Sequence, residues 1–182
     1  MRVVLGGVVA VLIFAVGAAI GWIGKASTIP DVPTISIYDG WRLACPAASQ
    51  NDKPCAISND LIDSKTQSKV AQLTILPAKK GKVLVVTAPF NVLLPEGFGL
   101  VLGKDKPRVY PFQTCSPAGC IAEVKMDDAL RDAMRHTEQG KLLFGNLEQK
   151  TVTIEFSLKG FGRADKAFEA HQHRHSFLGM AI

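Results

Sequence analysis

No G-x-S-x-G turn occurs in this sequence, and ahead of its last twelve residues there is a single histidine, His136. A hydrolase triad needs a nucleophile, a histidine and an orienting acid converging in space, and that set is incomplete here. The chain also lacks a glycine-rich phosphate loop, a C-x-x-C redox pair and any internal repeat. Its charge is thinly spread. The formal balance is +5, and setting aside Arg2 and Lys25 with the N-terminal segment leaves +3. A balance that small does not argue for nucleic acid as a partner. The densest basic cluster, Lys79-Lys80-Gly81-Lys82, lies between two apolar runs and reads as a solvated turn. Asp127 and Asp128 are adjacent, which suits a helix N-terminus better than a shared proton. These absences point away from an enzyme and imply no cofactor.

Cysteine is scarce and even in number. The four residues, Cys45, Cys55, Cys115 and Cys120, all follow the N-terminal apolar run. The even count argues against a free thiol nucleophile. Zinc sites usually pair ligands two to four residues apart, so the C-x9-C spacing of the first pair fits a metal poorly. With an export signal upstream, structural disulfides are the better reading. Four cysteines allow three connectivities, and we expect the local one, Cys45–Cys55 and Cys115–Cys120. Each such short closed loop is worth about 2–3 kcal/mol in the chain-entropy model.

What the chain does have is one long apolar run. Val3 to Gly24 carries no charge for 22 residues. As a helix it would span the ~30 Å hydrocarbon core of a bilayer. It is either a signal peptide, with small residues for cleavage near Ala18 or Ala26, or a retained signal anchor. Its length, and Trp22 near its end where an interfacial aromatic sits, favour the anchor. The expected organisation is an anchor or signal peptide over 1–25, a linker over 26–34 (ASTIPDVPT), a β domain over 35–170 and a histidine-rich tail over 171–182. The N-terminal segment would contact the inner membrane and leave the domain in the periplasm, or release it there after cleavage.

Beyond the linker the pattern is mostly strand-like. Period-two alternation or β-branched, apolar runs mark strands at 35–38, 41–45, 55–58, 70–77, 82–90, 98–102, 109–115, 120–125, 141–144 and 151–158. The 82–90 run has a nearly continuous apolar centre and suits a strand buried on both faces or in the middle of a sandwich. The Pro46–Pro54 loop, bracketed by the first cysteine pair, would join two arms of a hairpin. The PFQTCSPAGC stretch, Pro111 to Cys120, would close another. Only over 127–140 does the period become helical, with Ala129, Leu130, Ala133 and Met134 on one face and Gly140 as a stop. Arg163 to Phe168 reads as a second short helix. The expected fold is mainly β: one antiparallel sandwich or barrel-like domain with two short helices, two local disulfides and a preceding apolar helix.

The tail places His171, His173 and His175 at alternate positions. On an extended segment all three would face one side, where zinc, copper or nickel could bind. The apolar stretch Ser176 to Ile182 behind them could dock on the domain or on a partner.

Five short motifs in order carry a resemblance. They are Trp41-x3-Cys45, then Cys55, Leu94-Pro95-x-Gly97, Pro111-Phe112-x2-Cys115-x3-Gly119-Cys120, and Ser157-Leu158-x-Gly160-Phe161-x2-Ala164. Together, over roughly Tyr38 to Phe168, the chain resembles the invasion-associated locus B family of exported Gram-negative proteins. The resemblance implies a periplasmic or envelope location and, in some members, a link to host-cell entry. It implies no enzymatic activity and brings no catalytic residues. The expected function is therefore a non-catalytic envelope module that binds an envelope or host protein through sheet edges or disulfide loops. Metal binding by the histidine tail is the alternative.

Overall fold

The period-two runs become strands in two antiparallel sheets. The structure, a computed structural model, describes residues 32–50, 53–63 and 66–179. The apolar run at 3–24 lies outside those residues. The domain belongs to the compact unit Pro33–Ile182.

The larger sheet has seven strands: β1 (Thr34–Tyr38), β2 (Trp41–Cys45), β3 (Ala56–Ile62), β4 (Lys69–Pro77), β5 (Lys82–Ala88), β8 (Thr114–Ser116) and β9 (Gly119–Met126). Their order is β1-β2-β3-β4-β5-β9-β8. The smaller sheet uses β6 (Phe98–Leu102), β7 (Arg108–Tyr110), β10 (Gln139–Gly145) and β11 (Thr151–Ser157), in the order β11-β10-β6-β7. Helix α1 spans Asp128–His136 and α2 spans Phe161–Gly179.

Alternation explains the core. Trp41 and Leu43 of β2, Leu73 and Ile75 of β4, and Leu84 and Val86 of β5 all turn inward and are buried. Phe98, Leu100 and Leu142 reach them from the small sheet. Trp41 meets the Phe161 ring edge-on with centroids 5.0 Å apart, so α2 starts against the deepest part of the core. The Asp39-Gly40 dipeptide closes β1 on β2 as a two-residue hairpin with φ of 49° and 93°. Positive φ at both central residues is what a turn matching the twist of the strands requires.

Four expectations change, and a fifth is decided between its two readings. The 82–90 run is not buried on both faces but lies inside the larger sheet, β5 standing between β4 and β9. Leu84, Val86 and Ala88 are buried, while Val83, Val85 and Thr87 are half-buried on the outer side of the sheet. The 109–115 run is two strands in different sheets. Pro111 interrupts it, and the chain crosses over there, β7 pairing with β6 and β8 with β9. Helix α1 stops at His136, and Gly140 sits inside β10 instead of ending the helix. A Cβ at Gly140 would lie 2.4 Å from the ring of Phe156, its cross-strand partner, so this glycine makes room for an aromatic. The second helix is not short: α2 continues for 19 residues. Lys82 is not a solvated turn residue either, because its side chain is only 10% exposed and reaches α2.

Candidate functional site: an open strand edge beside a groove

Strand β11 lies at one edge of the small sheet. Its ladder to β10 fixes which of its groups point outward. Leu158 N–H donates to Glu138 O at 2.8 Å and Asn146 N–H to Lys150 O at 2.9 Å, at the two ends of the pairing. Antiparallel pairs alternate, so Val152, Ile154 and Phe156 face β10 with their backbone groups, while Thr151, Thr153, Glu155 and Ser157 turn theirs away. Among the described residues, only the last of these outward groups meets a partner. Ser157 O accepts from Trp41 Nε1 at 3.1 Å and from Asn59 Nδ2 at 3.5 Å, pinning the end of β11 to the large sheet.

Between that pin and the start of β11 a groove of about 670 Å³ opens. Ile62, Val70, Pro89, Phe144, Val152 and Ile154 give it an apolar lining, and Asp63, Lys69 and Glu155 stand among its polar residues. The volume falls within the ordinary range for ligand sites. Asp60, two residues before Ile62 in β3, holds Lys69 at 2.7 Å. The Lys69 hydrogen bond keeps that carboxyl below the usual carboxylate range against the opposing effect of burial. A groove of mixed apolar and polar lining, alongside strand N–H and C=O groups that are unpaired among the described residues, suits an extended polypeptide, which would pair with the edge and place alternate side chains in the groove.

The most strongly charged cluster lies elsewhere and is occupied by itself. Asp165 of α2 is fully buried and accepts from Lys82 Nζ at 2.5 Å, Arg131 Nε at 2.9 Å and Arg135 Nε at 2.8 Å. Glu169, one turn on, contacts the same three cations. Burial pushes the Asp165 carboxyl up, but Lys82, Arg135 and Arg131 outweigh it and hold the group below its ordinary range. Three cations against two carboxylates bolt α1 and α2 to β5. A carboxylate kept ionised and fully engaged is a fastening and not a proton shuttle. Sequence reasoning missed this cluster. Its legible signal was the i,i+4 spacing of Arg131 with Arg135 and of Asp165 with Glu169, which puts each pair on one helix face.

The residues singled out from the sequence fall as follows. Cys45 is bonded to Cys55 and Cys115 to Cys120, with S–S distances of 2.08 and 2.11 Å, and no free cysteine is present among the described residues. The first disulfide ties the end of β2 to the residue just ahead of β3 and the second ties β8 to β9, as the hairpin reading expected. The first is buried, whereas Cys115 of the second is exposed at the PFQTCSPAGC corner. Asp127 caps α1, accepting from Leu130 N–H at 2.8 Å. His136 is in contact with Asp132 O at 2.8 Å on the surface of α1. The extended backbone on which the three histidines would face one side is not present at 171–175, which is helical. At about 100° per residue, position 173 is turned roughly 200° from 171, so alternate spacing does not bring the three positions to one side. His171 lies against the Cys45–Cys55 pair. The side chains of 173 and 175 lie outside the described residues.

Comparison with known proteins gives a consistent set. Residues 41–169 match the family model described as Invasion associated locus B (IalB) protein. The chain is 28% identical over 144 residues to an Invasion protein B homolog of Brucella abortus (strain 2308), covering 78% of this chain and 79% of that one. A homolog of the same name from Brucella abortus biovar 1 (strain 9-941) matches equally. Among solved structures, the crystal structure of invasion associated protein B from Bartonella henselae aligns with a TM-score of 0.68 at 21% identity. That alignment covers 77% of this chain and 99% of the other.

Proposed function

The chain belongs to the invasion associated locus B family, and from that premise we propose that it is an exported, non-catalytic envelope protein that binds an extended segment of a protein partner along β11. The observation that carries the reading is the edge at Thr151, Thr153 and Glu155, unpaired among the described residues and bordering the 670 Å³ groove. Two disulfides support export, since they persist in oxidising compartments. The uncharged run at 3–24 supports an inner-membrane anchor with the domain in the periplasm. The relatives are named invasion proteins and not enzymes, and a part in host-cell association rests on those names. The partner segment has apolar side chains at alternate positions, because only every second side chain of an added strand faces the groove.

The test is selection of displayed random peptides on the purified protein. Selected peptides should alternate in hydropathy and slow amide exchange at Thr153 and Glu155. Thr153→Pro removes one outward N–H and leaves the ladder to β10 intact, and it should weaken binding at least about tenfold, or about 1.4 kcal/mol. Peptides that bind the Thr153→Pro protein as well as the parent would refute the edge as the site.

A further inference from the structure

The Sγ atoms of Cys45 and Cys55 and a ring nitrogen of His171 lie within 4.8 Å of one another. One sulfur comes from the end of β2 and the other from Cys55, just ahead of β3, and the imidazole comes from α2. In the oxidised protein the sulfurs are bonded to each other and offer no thiolate. We propose that reduction of Cys45–Cys55 creates a metal site of two thiolates and one imidazole that takes a d10 cation, Zn(II) or Cu(I). This inference does not depend on the partner-binding reading.

The backbone is already built for it. Beyond the disulfide, β2 and β3 stay paired through Leu43 with Ile57 and Ala44 with Ala56, so cutting the S–S bond leaves the two Cα atoms, 4.1 Å apart, held by the ladder. Two thiolates on a tetrahedral zinc stand ~3.8 Å apart, given a Zn–S distance of ~2.3 Å, which side-chain rotation alone can reach. Cysteines 6% and 5% exposed put the ion in a largely dry place, where thiolate and imidazole ligands select zinc and Cu(I) over harder cations. Three protein ligands leave a fourth position for water on zinc, and three donors suffice for Cu(I). In the chemical step a dithiol reductant passes two electrons and two protons to the disulfide. The S–S bond breaks and the reductant leaves as its own disulfide. Metal binding then displaces the two thiol protons. The disulfide is thus the closed state of the site.

The experiment uses the full chain in detergent micelles with Cys115→Ser and Cys120→Ser, so that one thiol pair remains. After reduction with a phosphine, Zn2+ and, as a spectroscopic probe, Cd2+ are titrated. One ion per chain and an ultraviolet thiolate-to-cadmium absorption are expected, with binding at least about 100-fold weaker before reduction. His171→Ala should raise Kd about tenfold or more, while His173→Ala with His175→Ala should leave it within about twofold. Equal binding by the oxidised chain, or no stoichiometric uptake by the reduced one, overturns the proposal. So does an equal loss in the His173/His175 double variant, which marks chelation by a loose tail. Loss of the near-ultraviolet circular dichroism of buried Trp41 on reduction overturns it too, since the site requires the fold.

Discussion

Replacing Asp165 by Asn tests the central fastening of the domain. The substitution keeps the shape of the side chain and removes its charge. Lys82, Arg131 and Arg135, with side chains 10%, 22% and 26% exposed, would then share Glu169, with only the exposed Asp128, 3.9 Å from Arg131, beside it among the described residues. Breaking a buried ion pair from one side costs about 3–5 kcal/mol, because the remaining charge is left uncompensated. These cations can recover part of their hydration and keep Glu169, so the lower end, about 3 kcal/mol, is expected. For a domain of this size that is a fall in Tm of roughly 6–12 °C. The pH dependence gives an independent check. The folded carboxyl of Asp165 titrates below its unfolded value of about 3.9, so its contribution is complete above that value and is lost as pH falls through the folded one. Thermal unfolding followed by circular dichroism from pH 7 to pH 3 should show the Asn variant less stable near neutrality. The two curves should approach each other in acid. Asp60, also held low by its Lys69 hydrogen bond, remains in the variant and leaves part of the acid sensitivity in place. A Tm loss under about 2 °C, or two parallel pH curves, would refute the reasoning.

Two further substitutions probe the packing. Gly97 has φ of 67°, and a Cβ there would lie 2.2 Å from the carbonyl oxygen of Tyr110. Gly97→Ala should therefore cost at least about 2 kcal/mol by urea unfolding, and a cost within about 0.5 kcal/mol would contradict the geometry. Trp41→Phe removes the indole donor to Ser157 O and should destabilise by about 1–3 kcal/mol. It should also speed amide exchange near Ser157, and unchanged exchange would mean that the pin is not holding β11.

Much of the fold was legible in the residues. Inward and outward alternation along 41–45, 70–77 and 120–125 marked strands because one face of each is buried. The cysteine spacings marked hairpin ends because each pair faces across adjacent strands. Asp127 marked a helix start through its capping carboxylate. The misses have physical causes. Over 109–115 the local pattern is strand-like throughout, and only the missing N–H of Pro111 signals that the chain changes sheets. The length of α2 was hidden because His171 to His175 is polar on every side. From Arg163 to Leu178 there is nevertheless no glycine or proline to stop a helix. Lys82 sits in a run of lysines, and its burial depends on a carboxylate 83 positions away. The groove was invisible for the same reason. Whether β11 is an edge strand follows from the order of strands in a sheet, which is set by long-range pairing and leaves no mark in the local pattern.

The most direct measurement is site-specific photocrosslinking in the cells that make the protein. A benzophenone side chain is placed at Thr153, on the open edge, and for comparison at Lys104, in the exposed turn between β6 and β7. Irradiation at Thr153 should give one discrete adduct, with the crosslinked residue of the partner lying in a segment of alternating hydropathy, and Lys104 should give none. No adduct at Thr153, or the same adducts from both positions, would contradict the assignment of the β11 edge as the binding site.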